Sequence, residues 1–193
     1  MLRRERQVLS LVALVAALSI AQDTQGRSAI TALASFEVWA DGFKDLRGIA
    51  VDPAGNVFVA DRDAGTVTRI APDRRHTTVA RSLKGPVGLA FDMAGHLLIA
   101  EEQAGRVVRV EAKGRPTAIV SDVKQPRWLA MRDDGTLYIS ARRLTRDTDP
   151  EPDDESAEPE VILALGPAGT LSVFAEGLRH LQGLAVDHDR LFA

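Results

Sequence analysis

The chain has 193 residues, 45% of them hydrophobic, a formal net charge of -3 and no cysteine. This composition suffices for a packed core, and it excludes both a disordered chain and the basic surface of a nucleic-acid binder. It also excludes disulfides and thiolate metal sites.

In chain order, Arg3, Arg4 and Arg6 precede a 14-residue run from Val8 to Ala21 that is apolar except for Ser10 and Ser19. Basic residues, a short apolar stretch and the small residues Ser19 and Ala21 read as a secretory signal peptide over residues 1–21, cut after Ala21. The run is shorter than the roughly 20 residues needed to span a bilayer. Export to the periplasm or beyond the cell is therefore expected, with no transmembrane span after cleavage. Residues 22–35 read as a linker.

From residue 36 onward one phrase is rewritten four times: Leu46–Asp61, Pro86–Glu101, Pro126–Ser140 and Leu181–Ala193. Gly48, Gly88 and Trp128 are spaced by 40 and 40, and Gly183 follows 55 residues later. A period near 40 built of short apolar runs marks a radial β-repeat with one small sheet per unit. In the second unit the predicted strands are Gly88–Phe91, His96–Ala100, Arg106–Val110 and Thr117–Val120, joined by the turns Asp92–Gly95, Glu101–Gly105 and Lys113–Pro116. Asp can bond its own backbone in such turns and Gly supplies positive φ. Strands at this spacing make a four-stranded antiparallel blade. Third strands are predicted at Thr66–Ile70 and Val161–Leu165, and fourth strands at Thr77–Ala80 and Leu171–Ala175. Phe36–Phe43 reads like Leu171–Leu178, so it is expected to be a fourth strand that closes the ring on the last blade and removes two open edges. The fold class is thus all-β, a β-propeller over residues 36–193 with about three and a half blades present, and the expectation is a piece of a longer, six-bladed protein.

The phrase Pro-x-Gly-Leu-Ala-x-Asp-x-x-Gly-x-Leu-x-x-Ala-Glu/Asp, followed by Gly-x-Val-x-Arg-Val, resembles the NHL repeat. It is similar to the blades of the senescence-marker-protein/gluconolactonase family, of streptogramin lyases and of soluble sugar dehydrogenases. The resemblance covers residues 36–193 and implies a propeller of typically six blades. Its residues are structural, glycines for turns and apolar side chains for inner strands, so it speaks to fold more than function. Among gluconolactonase-like enzymes it implies a divalent cation held by a Glu at the start of a first-blade inner strand with Asn and Asp elsewhere. Arg47, Val87, Arg127 and Gln182 occupy the corresponding positions, and none is an acid. The His and Glu pattern of the streptogramin lyases has no counterpart.

Antiparallel geometry places the starts of inner strands and the ends of second strands on one face, the mouth, and the Asp-x-x-Gly turns on the other. Ligand sites are usually concave and lined by a few convergent polar groups. The mouth residues are Arg47, Arg127, His180 and Gln182 before inner strands, and Asp61, Arg62, Asp63, Glu101, Glu102, Gln103, Arg142 and Arg143 after second strands. Asp61 and Glu101, one blade apart, can either hold Ca²⁺ or another divalent cation through oxygen ligands or pair with Arg47 and Arg127. Lys44, Lys84 and Lys124, with Arg179, share one register; this basic ring either steers anions or is a solvated loop corner.

Residues 142–160 form an insertion in which eight of the fourteen residues from Asp147 to Glu160 are acidic and three are proline. Such a run is expected to be extended and uncollapsed, either a lid or cation clamp or a solvated flap. It lacks the rhythm of a calcium loop. His96 and His188 fall with the opposite-face turns and His76 in a peripheral turn. Gly-x-Ser-x-Gly and Gly-rich phosphate loops are absent. The reading is an exported propeller that binds a small molecule or a protein, and no nucleic acid, at its mouth. A divalent-cation lactonase or hydrolase is the alternative, and a sugar-dehydrogenase-like propeller a second one.

Overall fold

The structure, a computed structural model, describes residues 9–22, 28–111, 114–144 and 160–193. It divides into two units, Met1–Lys44 and Asp45–Ala193.

In the first unit β1 (Leu9–Gln22) pairs antiparallel with β2 (Ser28–Phe43), in unbroken register from Val12↔Val38 to Gln22↔Ser28. The candidate signal segment covers residues 1–8, outside the described residues, and most of β1. Phe36–Phe43, expected as a ring-closing strand, is the C-terminal half of β2 and pairs here with β1.

The second unit is a succession of blades. The first comprises β3 (Leu46–Val51), β4 (Val57–Asp61), β5 (Thr66–Ile70) and β6 (His76–Ala80). The second comprises β7 (Pro86–Phe91), β8 (Leu97–Glu101), β9 (Arg106–Val110) and β10 (Pro116–Val120). A two-residue strand β11 (Val123–Lys124) follows, then β12 (Leu129–Met131), β13 (Leu137–Ala141) and a second two-residue strand β14 (Arg143–Leu144). The chain continues with β15 (Glu160–Leu165), β16 (Leu171–Leu178), β17 (Ala185–Asp187) and β18 (Arg190–Phe192). Among the described residues these form three four-stranded antiparallel sheets, β3-β4-β5-β6, β7-β8-β9-β10 and β12-β13-β15-β16, and a β17-β18 hairpin that opens a fourth. The all-β propeller expectation of about three and a half blades is met. His76 is the one histidine placed differently: it begins β6 rather than lying in a turn.

Period-two alternation packs the second sheet against both neighbours. All five residues of β8 are buried. Leu97 and Ile99 join Phe58, Val67, Ala80 and Leu83 in the seam with the first blade. Leu98 and Ala100 join Leu129, Leu137, Ile139 and Leu163 in the seam with the third. Fully burying such side chains contributes about 1.5–3 kcal/mol each. Phe58 and Phe91 meet edge-to-face across the first seam with ring centres 5.0 Å apart.

The inner strands set the mouth. Pairing shifts between Leu46 and Ile49 in β3, and between Pro86 and Leu89 in β7, so Gly48 and Gly88 sit in bulges. A Cβ on Gly48 would lie 1.9 Å from the Val87 carbonyl oxygen, and one on Gly88 would lie 1.9 Å from that of Arg127. Glycine is required here because the next blade's backbone fills the space. Each close approach fixes the residue one before the next repeat's key position, Val87 or Arg127, at the mouth.

Candidate functional site: an arginine-lined mouth

The mouth is built from blade ends. Arg47, Val87, Arg127 and Gln182 occupy one register at the starts of inner strands, and Arg62 and Glu102 follow second strands. With Trp128 and Leu181 they line one cavity of about 300 Å³. Residues up to 135 positions apart in sequence therefore converge, and Arg47, Arg127 and Gln182 are brought together as their register implies. A second cavity of about 190 Å³ shares Arg127, Leu181 and Gln182 and adds Arg142, Glu160, Arg179 and His180. His180 is held in left-handed backbone, φ 59°.

An ion-pair relay runs around this face. Asp45 meets Arg47 Nε at 2.9 Å and Arg62 Nη1 at 3.9 Å. Arg62 Nε donates to Glu102 Oε2 at 3.0 Å, and Arg127 Nε donates to Glu102 Oε1 at 2.8 Å. Glu160 Oε1 lies 3.8 Å from Arg127 Nη1, and its Oε2 accepts the Leu181 N–H at 2.6 Å. Glu102 is largely enclosed and its guanidinium partners only partly so, which shields these pairs better than exposed ones. The relay links the first three blades and fixes the arginines in place.

Asp61 and Glu101, the two acids weighed as cation ligands, take another position. They are buried, 4% and 0% exposed, beneath the mouth. Asp61 Oδ1 accepts the N–H groups of Asp45 (3.2 Å) and Ala64 (3.0 Å). Glu101 Oε1 accepts the Lys84 N–H at 2.6 Å, and its Oε2 accepts Arg106 Nε at 2.6 Å. Their oxygens hold loop backbone and a strand neighbour. The acids that meet Arg47 and Arg127 are instead Asp45 and Glu102. Among the described residues no group of three or more His, Asp or Glu is placed to hold a metal ion.

Of the proposed basic ring, Arg179 lines the smaller cavity. Lys84 and Lys124 contribute backbone: the Lys84 carbonyl accepts Gln103 N–H, and the Lys124 carbonyl accepts Arg142 N–H. Lys44 belongs to the N-terminal unit. Arg143 sits in β14, paired with Lys124 in β11. Residues 145–159 of the acidic insertion, and with them the lid or clamp reading, lie outside the described residues.

Trp128 stands apart from its repeat equivalents. It replaces the glycine of the first two blades, and β12 begins only at Leu129. Its backbone N–H donates to Ser140 Oγ at 2.9 Å, while its indole Nε1 donates to the Leu181 carbonyl at 3.4 Å. A bulky ring thus stands where the earlier seams admit only hydrogen, and it walls the larger cavity. Two wider clefts, about 570 and 620 Å³, open on the turn face between adjacent blades. Their linings are mostly the seams' apolar edges, and the turn acids Asp52 and Asp92 there are committed to backbone N–H groups.

No family model matches the sequence, and no curated protein matches it. Solved structures do. A gluconolactonase from Xanthomonas campestris superposes with a TM-score of 0.64 at 19% identity, over 89% of this chain and 61% of that one. An aldose sugar dehydrogenase from Streptomyces coelicolor, solved with PQQ bound, gives 0.61 at 21% identity, over 96% and 60%. Virginiamycin B lyase from Staphylococcus aureus gives 0.55 at 13% identity, over 91% and 64%. The chain has the fold of the six-bladed β-propellers. At these identities the likeness is one of fold, and the propeller spans less than two thirds of each of these solved chains. Within this propeller the mouth residues that register did not single out are Asp45, Trp128, Glu160 and Leu181. A signal existed for Trp128 alone, as the one position of the series Gly48, Gly88, Trp128 and Gly183 that is not glycine.

Proposed function

We propose that the mouth of this exported propeller binds a small, polar, hydroxylated organic molecule. The observation that carries the reading is the single cavity of about 300 Å³ into which four blades send guanidinium donors, the Glu102 carboxylate, the Gln182 amide and the Trp128 indole. A flat apolar ring beside directional polar groups suits a sugar-like ligand, which offers a C–H face and hydroxyls together. Two of the structural relatives are named for gluconolactone and aldose chemistry, which supports the same ligand class. Hydrolysis through a divalent cation would call on free acids at the mouth. The carboxylates lining the two cavities, Glu102 and Glu160, are both engaged with Arg127, so binding is the better-supported activity.

Trp128 provides the test. The chain has two tryptophans, so in a Trp39→Phe background emission reports on the mouth. Titration of the full chain with glucose, sorbitol and gluconate is expected to give a saturable change with at least one of them. Arg127→Ala is expected to weaken it about tenfold, the loss of roughly one charge-assisted hydrogen bond. Emission unmoved by all three, or binding unchanged in Arg127→Ala, overturns the reading.

A further inference from the structure

We infer that the smaller mouth cavity is a receptor for an oxyanion group, carboxylate or phosphate, centred on Arg142. Arg142 Nε and Nη1 are buried and, among the described residues, have no hydrogen-bond partner. A guanidinium stays charged in a protein, so loss of a proton offers no escape from this. A buried donor left without an acceptor loses its hydration and gains nothing in exchange, and the loss is greater when the donor is charged. An acceptor that brings a negative charge removes both penalties at once.

The surroundings favour an anion. Among the described residues the cavity of about 190 Å³ is lined by three arginines, Arg127, Arg142 and Arg179, against the one carboxylate residue Glu160. Glu160 is directed elsewhere, to the Leu181 N–H and to Arg127. Arg62 occupies the same register two repeats further back and is satisfied by Glu102 of the next blade. Arg142 thus differs from its repeat equivalent in having donors to spare. His180 and the Gln182 amide complete the wall, and Gln182 also faces the larger cavity. The seat stands on Arg142's own donors and adjoins the hydroxylated-ligand site without depending on it.

The experiment follows the Arg Nε–Hε signals of the ¹⁵N-labelled full chain, with Arg142 assigned by its loss in Arg142→Lys. Succinate, inorganic phosphate and, as a neutral control, butane-1,4-diol are titrated at constant ionic strength. The Arg142 Hε signal is expected to move downfield saturably with an anion and to ignore the diol. The stronger of the two anions identifies the group as planar or tetrahedral. Affinity is expected to fall about tenfold in Arg142→Ala, and in Arg142→Gln should the alanine variant not fold. An Arg142 signal already downfield and unmoved by either anion means that an acceptor within the protein fills the seat, which overturns the proposal. So does unchanged anion affinity in these variants. Movement of Arg142 with Trp128 emission silent to glucose, sorbitol and gluconate upholds the oxyanion seat and sinks the hydroxylated-ligand reading. The reverse pattern does the opposite.

Discussion

Gly48 and Gly88 have no room for a side chain, although neither has positive φ. Each presses its Cα against a carbonyl of the following blade. Gly88→Ala is therefore expected to destabilise the chain at or above the upper end of about 1–3 kcal/mol, because the obstructing atom is backbone and cannot rotate away. Urea unfolding measures it, and a cost under about 0.5 kcal/mol would contradict the close approach. The 40-residue spacing made these glycines visible in the sequence, but their reason was not. A repeat shows that a position matters without showing what lies opposite it in the next repeat. Asp61 and Glu101 carry the same lesson. Register counting placed them correctly at the ends of second strands. The geometry of the strand end then directed their carboxylates to the N–H groups of the incoming loop, while Arg62 and Glu102, one residue on, reached the mouth.

Second strands and fourth strands are unequally enclosed. β8 is buried throughout, whereas in β16 Val173 and Phe174 are 47% and 54% exposed. Ile99→Ala is expected to cost about 2–5 kcal/mol, since it empties a fully buried position of a seam. Val173→Ala is expected to stay within about 0.5 kcal/mol. Equal shifts in the urea midpoints of the two variants would refute this gradient. Strand order and bounds were readable to within a few residues, because apolar runs separated by Asp, Gly and Pro encode them locally. The shortening of β12 was not readable. It depends on Trp128 meeting Ser140 and Leu181, contacts that join residues 12 and 53 positions apart. That Arg47, Arg127 and Gln182 lie at one end of the blades was legible from antiparallel geometry, but the relay Asp45–Arg47/Arg62–Glu102–Arg127 needed side-chain placement across blades.

Across the molecule one turn recurs, and it links stability to pH. Asp52 in the first blade and Asp92 in the second each accept N–H bonds from the residues two and four positions on. Burial works against both carboxylates, and the bonds from Asn56 and Ala54, or from His96 and Ala94, more than offset it. In the third blade Asp134, bonded to the Thr136 N–H, titrates low as well. A carboxyl that titrates lower in the folded chain than in the unfolded one stabilises the fold above its unfolded pKa, about 4. That contribution is lost as pH falls through the folded value. The melting temperature is expected to be level with respect to these groups between pH 7 and 5 and to fall below about pH 4. Asp92→Asn is expected to lower it at pH 7 and reduce its slope in acid. A slope identical to that of the native chain would rule out Asp92 as a source.

β13 and β15 pair one residue at a time from Leu137↔Leu165 to Ala141↔Val161, with 19 residues between the last two partners. The equivalent strands β8 and β9 close their ladder at Glu101↔Arg106. The ladder is continuous beside both the short and the long connection, and lengthening a connection costs entropy only logarithmically. This crossing is thus a natural port for foreign cargo. An epitope or a small domain grafted there would leave the register of the two strands it joins undisturbed.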